Sequence, residues 1–96
     1  AGVAWLRRQF VAGRSRGGGR IDAVAPGVVR TAMTAARIDG DAAYRKAMID
    51  ATPLGRVGTP EQVASVIAFL CMDDAAFVNG QVIAVDGGWL AARTRA

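Results

Sequence analysis

Arg20-Ile-Asp-Ala-Val-Ala-Pro-Gly-Val-Val-Arg-Thr-Ala-Met33 is the stretch on which the fold turns. A short apolar run, Ile21 to Ala25, halts at Pro26-Gly27. Proline removes a ladder donor and glycine permits a tight turn, so the run predicts a strand that ends there. The pattern suits a parallel strand buried on both faces. Val28 to Met33 then begins a segment outside the strand's carboxyl end, the edge where open α/β sheets bind ligands. Asp22 is the odd residue: a buried, ionised carboxylate needs partners.

Outward from this stretch, the carboxyl side alternates helix and strand. Thr34 to Ala51 reads as helix broken near Gly40, with Asp41 capping a helix that carries Ala42, Ala43, Ala47 and Met48. Thr52 to Gly58 is a loop. Thr59-Pro60-Glu61-Gln62 predicts a helix start, with Thr59 as cap, Pro60 in the first turn and Gln62 completing a capping box. Val63, Val66, Ile67 and Leu70 form one apolar stripe. Asp73-Asp74 closes the helical region, although carboxylates are poor company for a helix carboxyl end. Val78-Asn79-Gly80 is a turn, Gln81 to Val85 a second short buried strand, and Asp86-Gly87-Gly88 its stop. Arg93 to Ala96 is expected to fray.

On the amino side, Val3, Leu6 and Phe10 sit at helical spacing, predicting a helix over Ala1 to Val11. Gly13, Gly17 and Gly19 spell G-x-x-x-G-x-G. A phosphate-binding turn needs a buried strand before it and a helix after it. Arg7-Arg8-Gln9 interrupts the one, and Pro26-Gly27 truncates the other, so a plain loop is the better reading. Arg7, Arg8, Arg14, Arg16 and Arg20 crowd the first twenty residues. No reading element or aromatic platform accompanies them, so nucleic-acid binding is the weaker alternative to a solvated surface.

Composition bounds the rest. With 96 residues, 52% of them apolar and a net charge of +4, the chain is one small, marginal domain and not a disordered tail. No apolar run is long enough to span a bilayer. There is no histidine, and the single Cys71 makes neither an internal disulfide nor a zinc site. A lone free cysteine suits a reducing cytoplasm. The chain opens without Met, as expected where further sequence precedes it.

The Arg20–Met33 block resembles the Pro-Gly motif of the short-chain dehydrogenase/reductase family. Pro53-Leu-Gly-Arg-Val-Gly-Thr-Pro-Glu-Gln-Val-Ala64 and Gly80-Gln-Val-Ile-Ala-Val-Asp-Gly-Gly88 resemble that family's carboxyl-terminal end, in order. Within that family the blocks resemble 3-oxoacyl-acyl-carrier-protein reductases. The family usually has Asn where this chain has Asp22. The resemblance implies an α/β fold: the carboxyl-terminal portion of a Rossmann-like, doubly wound parallel sheet. Residues 1–96 would be a single partial domain lacking the amino-terminal cofactor-binding half. A whole enzyme would move hydride between NAD or NADP and an alcohol or ketone. Pro26 and Gly27 would wall the nicotinamide. Val29 would offer backbone groups to its carboxamide, and Thr31 its hydroxyl, with helix capping as Thr31's competing role.

The family's catalytic pair, a Tyr with a Lys four residues on, would lie just before Ala1. Tyr44 and Lys46, this chain's sole Tyr and sole Lys, are two apart and diverge on a helix. No catalytic residue and no metal ligand is therefore assigned, and the isolated chain is expected to be inactive. A homo-oligomer is implied, because the capped helix and last strand resemble the family's usual subunit interface. The alternative to an enzyme part is a non-catalytic association module or remnant that binds itself or a partner.

Overall fold

The structure is a computed structural model that describes residues 19–93. The predicted helix over Ala1 to Val11, the glycine spacing from Gly13, the arginines before Arg20, and residues 94–96 lie outside the described residues.

Two strands form the centre. Strand β1, Ala23–Pro26, pairs in parallel with β2, Val82–Val85, in the register Ala23↔Val82 to Pro26↔Val85. Both the strand and its parallel pairing follow the sequence pattern, but the bounds differ. Ile21 bonds to a turn instead of the ladder: its N–H donates to Asn79 Oδ1 at 3.1 Å and its carbonyl accepts from Gly80 at 2.9 Å. Pro26 belongs to the strand because the ladder donors are out of phase with it. Ala23 and Gly27 donate to the Gln81 and Val85 carbonyls at 2.8 and 3.0 Å, so Pro26 sacrifices no bond to β2.

Burial on both faces is not what these residues achieve. Val24, Ile83 and Val85 are half-buried, whereas Ala23, Ala25, Val82 and Ala84 are exposed. Among the described residues there are two strands and one flanking helix, too few layers to cover both faces of the sheet.

The connection from β1 to β2 carries the helices. Helix α1, Ala35–Gly40, stops where Asp41 takes an extended conformation (φ −117°, ψ 101°). Asp41 then caps α2, Ala42–Tyr44, accepting the Tyr44 N–H at 3.0 Å, as expected. The helix continues as a π-helical turn, Arg45–Ile49. Helix α3, Pro60–Leu70, begins on a complete capping box. Thr59 Oγ1 accepts from the Gln62 N–H at 3.2 Å and Gln62 Oε1 from the Thr59 N–H at 3.0 Å. Val63, Val66 and Leu70 are half-buried on the face toward β1, while Ile67 stays 48% exposed.

Asp73 and Asp74 do not burden the end of α3. They open a separate 3₁₀ turn, Asp73–Ala75, where negative charge meets free N–H groups. The cation that α3 needs comes from the other end of the described chain. Arg20 Nη2 donates to the Leu70 carbonyl at 2.8 Å, and Nη1 to the Val78 carbonyl at 3.1 Å. Asp22 finds its partners in the same corner. Its Oδ1 accepts the Gln81 N–H at 2.9 Å, and its Oδ2 lies 3.5 Å from Arg20.

A last helix, α4, Trp89–Arg93, was not expected. Asp86 builds it: Oδ1 accepts the Gly88 N–H at 2.9 Å and Oδ2 the Leu90 N–H at 3.1 Å. Only Ile38, Ala75 and Thr52 are buried among the described residues, and Phe77 and Met33 are exposed.

Candidate functional site

The carboxyl ends of β1 and β2 open onto a cleft of about 350 Å³. Its floor is strand: Ala25, Pro26 and Ala84. One wall is the segment Gly27 to Val29, another is Tyr44 and Met48, and a third is Trp89 with Leu90.

Gly27 sits at the closest approach of the two strand ends. A Cβ there would lie 2.7 Å from Asp86 Cβ and 2.8 Å from Asp86 Cα, so no side chain is tolerated without movement. Glycine at this position is thus explained by packing. Gly87 and Gly88, after β2, have φ of +64° and +95°, values that L side chains rarely adopt.

Beyond Gly27 the chain makes a one-residue parallel bridge, Val29 to Gly58. Its bonds come from the flanking residues. The Gly58 N–H donates to the Val28 carbonyl at 2.9 Å and the Arg30 N–H to the Gly58 carbonyl at 3.1 Å. In a parallel bridge, the N–H and C=O of the central residue point the opposite way. Val29 therefore aims its own amide away from Gly58. Its carbonyl accepts Thr34 Oγ1 at 2.6 Å, and its N–H has no partner among the described residues.

Thr31 and Thr34 lock each other. The Thr31 N–H donates to Thr34 Oγ1 at 2.9 Å, and the Thr34 N–H to Thr31 Oγ1 at 3.3 Å. Thr31 thus does cap the turn that leads into α1. The structure brings Pro26, Gly27 and Val29 together along the cleft, whereas Thr31 is exposed and is not part of its lining. Thr34 was missed from the sequence, although the Thr-x-x-Thr spacing is itself a capping signal. From the sequence, Tyr44 is set aside as half of a catalytic pair and Met48 reads as a helix residue; neither is a predicted site residue. Their spacing of four residues puts both on one face of the helical segment, hence on the cleft, and a π-helical turn, Arg45–Ile49, runs through it. Trp89 owes its place to Asp86, and its indole N–H is buried without a partner among the described residues.

Ionised groups are sparse. Among the described residues Asp86 is the one carboxylate on the cleft, and both its oxygens serve backbone N–H groups. The exposed pair Arg30–Asp39, 2.7 Å apart, lies off it. The hydrogen bond from Arg30 holds the Asp39 carboxyl below its ordinary range, and Asp39 raises Arg30 in turn. Among the described residues no group of His, Cys, Asp or Glu could hold a metal ion, and no helix is long and apolar enough to cross a membrane.

Parallel strands with an intervening helical connection, ending on a cleft at their carboxyl edge, define part of a nucleotide-binding α/β domain. Residues 1–90 match the family model described as enoyl-(acyl carrier protein) reductase. A tropinone reductase homolog of Arabidopsis thaliana is 46% identical over 74 residues, covering 77% of this chain and 24% of that protein. Another homolog of the same name is 43% identical over 83 residues, covering 86% and 30%.

A short-chain type dehydrogenase/reductase from Mycobacterium ulcerans superposes with a TM-score of 0.85 at 36% identity, over 94% of this chain and 32% of that one. A protein described as a 2-deoxy-D-gluconate 3-dehydrogenase, from Agrobacterium tumefaciens and with bound NADP, does so at 0.84 and 39%, over 94% and 36%. A 4-hydroxyisoleucine dehydrogenase complexed with NADH gives 0.83 and 28%, over 94% and 37%. The chain belongs to the short-chain dehydrogenase/reductase family and has the corresponding part of its Rossmann fold. It spans about a third of the length of these relatives.

Proposed function

We propose that the chain is the carboxyl-terminal part of an NAD- or NADP-dependent oxidoreductase acting on a small alcohol or ketone. Residues 1–96 form a single partial domain in this reading, and the amino-terminal half supplies the phosphate-binding turn and the catalytic Tyr and Lys. The observation that carries it is the Val29 N–H, without a partner among the described residues, beside Pro26-Gly27 at the carboxyl edge of a parallel strand. An amide donor with no partner on a cleft wall fits the oxygen of a nicotinamide carboxamide. Pro26 and Gly27 would face the ring, and Thr31 could add a hydroxyl only by turning from Thr34. When bound, the dinucleotide supplies the hydride chemistry. This chain's residues hold and orient it. A reducing, cytoplasmic setting accords with Cys71, which is free and exposed.

The test is a turnover assay of the pure 96-residue chain with NADH or NADPH and a panel of ketones. No turnover is expected, and the polypeptide that joins this segment to a Tyr-x-x-x-Lys half should turn over. Cofactor-dependent turnover by the 96 residues alone contradicts the reading of an inactive part.

A second reading, an association module, draws on exposed apolar residues. Phe69, Met72 and Phe77 are 43%, 51% and 103% exposed around the end of α3. Self-association into a homo-oligomer should show in light scattering. A monodisperse monomer at every concentration would count against it.

A further inference from the structure

Two of the residues that line the cleft, Tyr44 and Met48, follow a bend in the chain, and a side chain ties that bend from its far side. We propose that Arg45 is a positioning residue: its guanidinium holds the bend between α1 and α2 and thereby sets where Tyr44 and Met48 stand on the cleft wall. What this does to a substrate rests on the reading of the chain as part of an oxidoreductase; what it does to the wall does not.

In an unbroken helix the carbonyls of Ile38 and Asp39 would accept from the N–H groups four residues on, those of Ala42 and Ala43. Asp41 interrupts the pattern by turning extended, and its carboxylate accepts the Tyr44 N–H at 3.0 Å. The carbonyls that end α1 then need other donors. Arg45 Nη1 serves both, donating to Ile38 at 3.1 Å and to Asp39 at 2.9 Å. A cation also suits a helix carboxyl end. Glycine does not impose the bend: a Cβ on Gly40 would meet nothing within 4 Å among the described residues, and its φ is not positive.

Helix α1 is the fixed partner in this tie. Ile38 is buried, and Arg30 grips the Asp39 carboxylate with both terminal nitrogens. Arg37 reaches across the same bend and lies 4.3 Å over the Tyr44 ring. Arg45 stands between Tyr44 and Met48 in the chain, half-buried and outside the cleft lining, so it reaches the cleft through its neighbours. Without the guanidinium a competing conformation is at hand. Ala42, Ala43 and Ala47 favour helix, and the Ala42 and Ala43 amides can take over the two carbonyls. The segment would straighten, and Tyr44 and Met48 would leave their present places together.

The test is amide hydrogen exchange by NMR on the 96-residue chain, its Arg45→Met variant and its Arg45→Lys variant. Arg45→Met keeps a flexible stem and removes the donors. It should slow exchange at Ala42 and Ala43 at least about tenfold, because both amides become hydrogen-bonded. It should also shift the Tyr44 ring and Met48 methyl signals. Arg45→Lys, which restores a donor, should keep the parent's pattern. Unchanged exchange at Ala42 and Ala43 in Arg45→Met, or unmoved Tyr44 and Met48 signals, overturns the proposal. Collapse of the β1 and β2 amide signals in both variants does so too, since Arg45 would then serve general stability. On the polypeptide that includes the Tyr-x-x-x-Lys half, Arg45→Met should raise KM for a ketone at least about fivefold and change kcat less than about twofold, as for lost binding common to ground and transition states. Arg45→Lys should bring KM back. A fall in kcat at unchanged KM contradicts the assigned role. No turnover by the unaltered polypeptide refutes the oxidoreductase reading and leaves the exchange result to decide the positioning role.

Discussion

Gly27 shows how one atom can decide a site. The two strand ends meet so closely that a methyl group would press on the backbone of Asp86, 2.8 Å away at Cα. Gly27→Ala should therefore destabilise the chain by about 1–3 kcal/mol, the usual range for overpacking. A shift in the denaturant midpoint at unchanged slope would verify this; an unchanged midpoint would mean that the strand ends part freely. The Pro-Gly pair was legible as a strand end, since proline and glycine restrict few structures as sharply as a turn. The partner of Gly27 was not legible. Asp86 lies 59 positions on, and nothing local announces that pairing. The same holds for Asp22, whose partners Arg20 and Gln81 meet only through folding.

Arg30 and Asp39 offer a residue-level pH test. Asp39's folded pKa is lowered, chiefly by the hydrogen bond from Arg30, so its contribution is present above the unfolded value and is lost as pH falls through the folded one. The loss falls in the acid range, beneath the ordinary carboxylate value of 3.8. Arg30, whose folded pKa is raised, would release its matching contribution only in strong alkali. Because both side chains are exposed, the effect should be small and weakened by salt. Thermal melts between neutral and acid pH should show Arg30→Gln losing less stability on acidification than the parent. A parallel pair of curves would remove Asp39 from the account.

At the scale of elements, signals that act over three or four residues were read well. The capping box of α3, the Asp41 cap and the break at Gly40 each came from adjacent side chains. Thr59→Ala should cost about 1 kcal/mol, and Thr59→Ser should restore most of it. Equal stability of all three proteins in urea would mean that α3 does not depend on its cap. Helix α4 escaped notice because glycines dominate Asp86-Gly87-Gly88 and disguise an aspartate that caps forward. The strand bounds shifted for a different reason: hydrogen-bond phase, not composition, sets where a ladder starts and stops. The carboxyl end of α3 is capped by Arg20, fifty positions away, which also withdraws that arginine from the amino-terminal basic cluster.

For the whole molecule, burial is the instructive quantity. Apolar strands were expected to be covered, and in this chain they are not. Among the described residues two strands and one packed helix leave Val82, Ile67 and Phe77 exposed. A sequence records that residues are apolar, but not which other segment will cover them. Family membership supplies the context: relatives three times as long share this part of the fold. The cleft then has one wall in hand, with Val29 turned into it by the Gly58 bridge.

The most direct measurement is a crystal structure of the polypeptide carrying this segment, bound to NAD or NADP. The nicotinamide ring should lie against Pro26-Gly27, with the carboxamide oxygen accepting the Val29 N–H. A dinucleotide bound with its nicotinamide remote from Val29 would contradict the account.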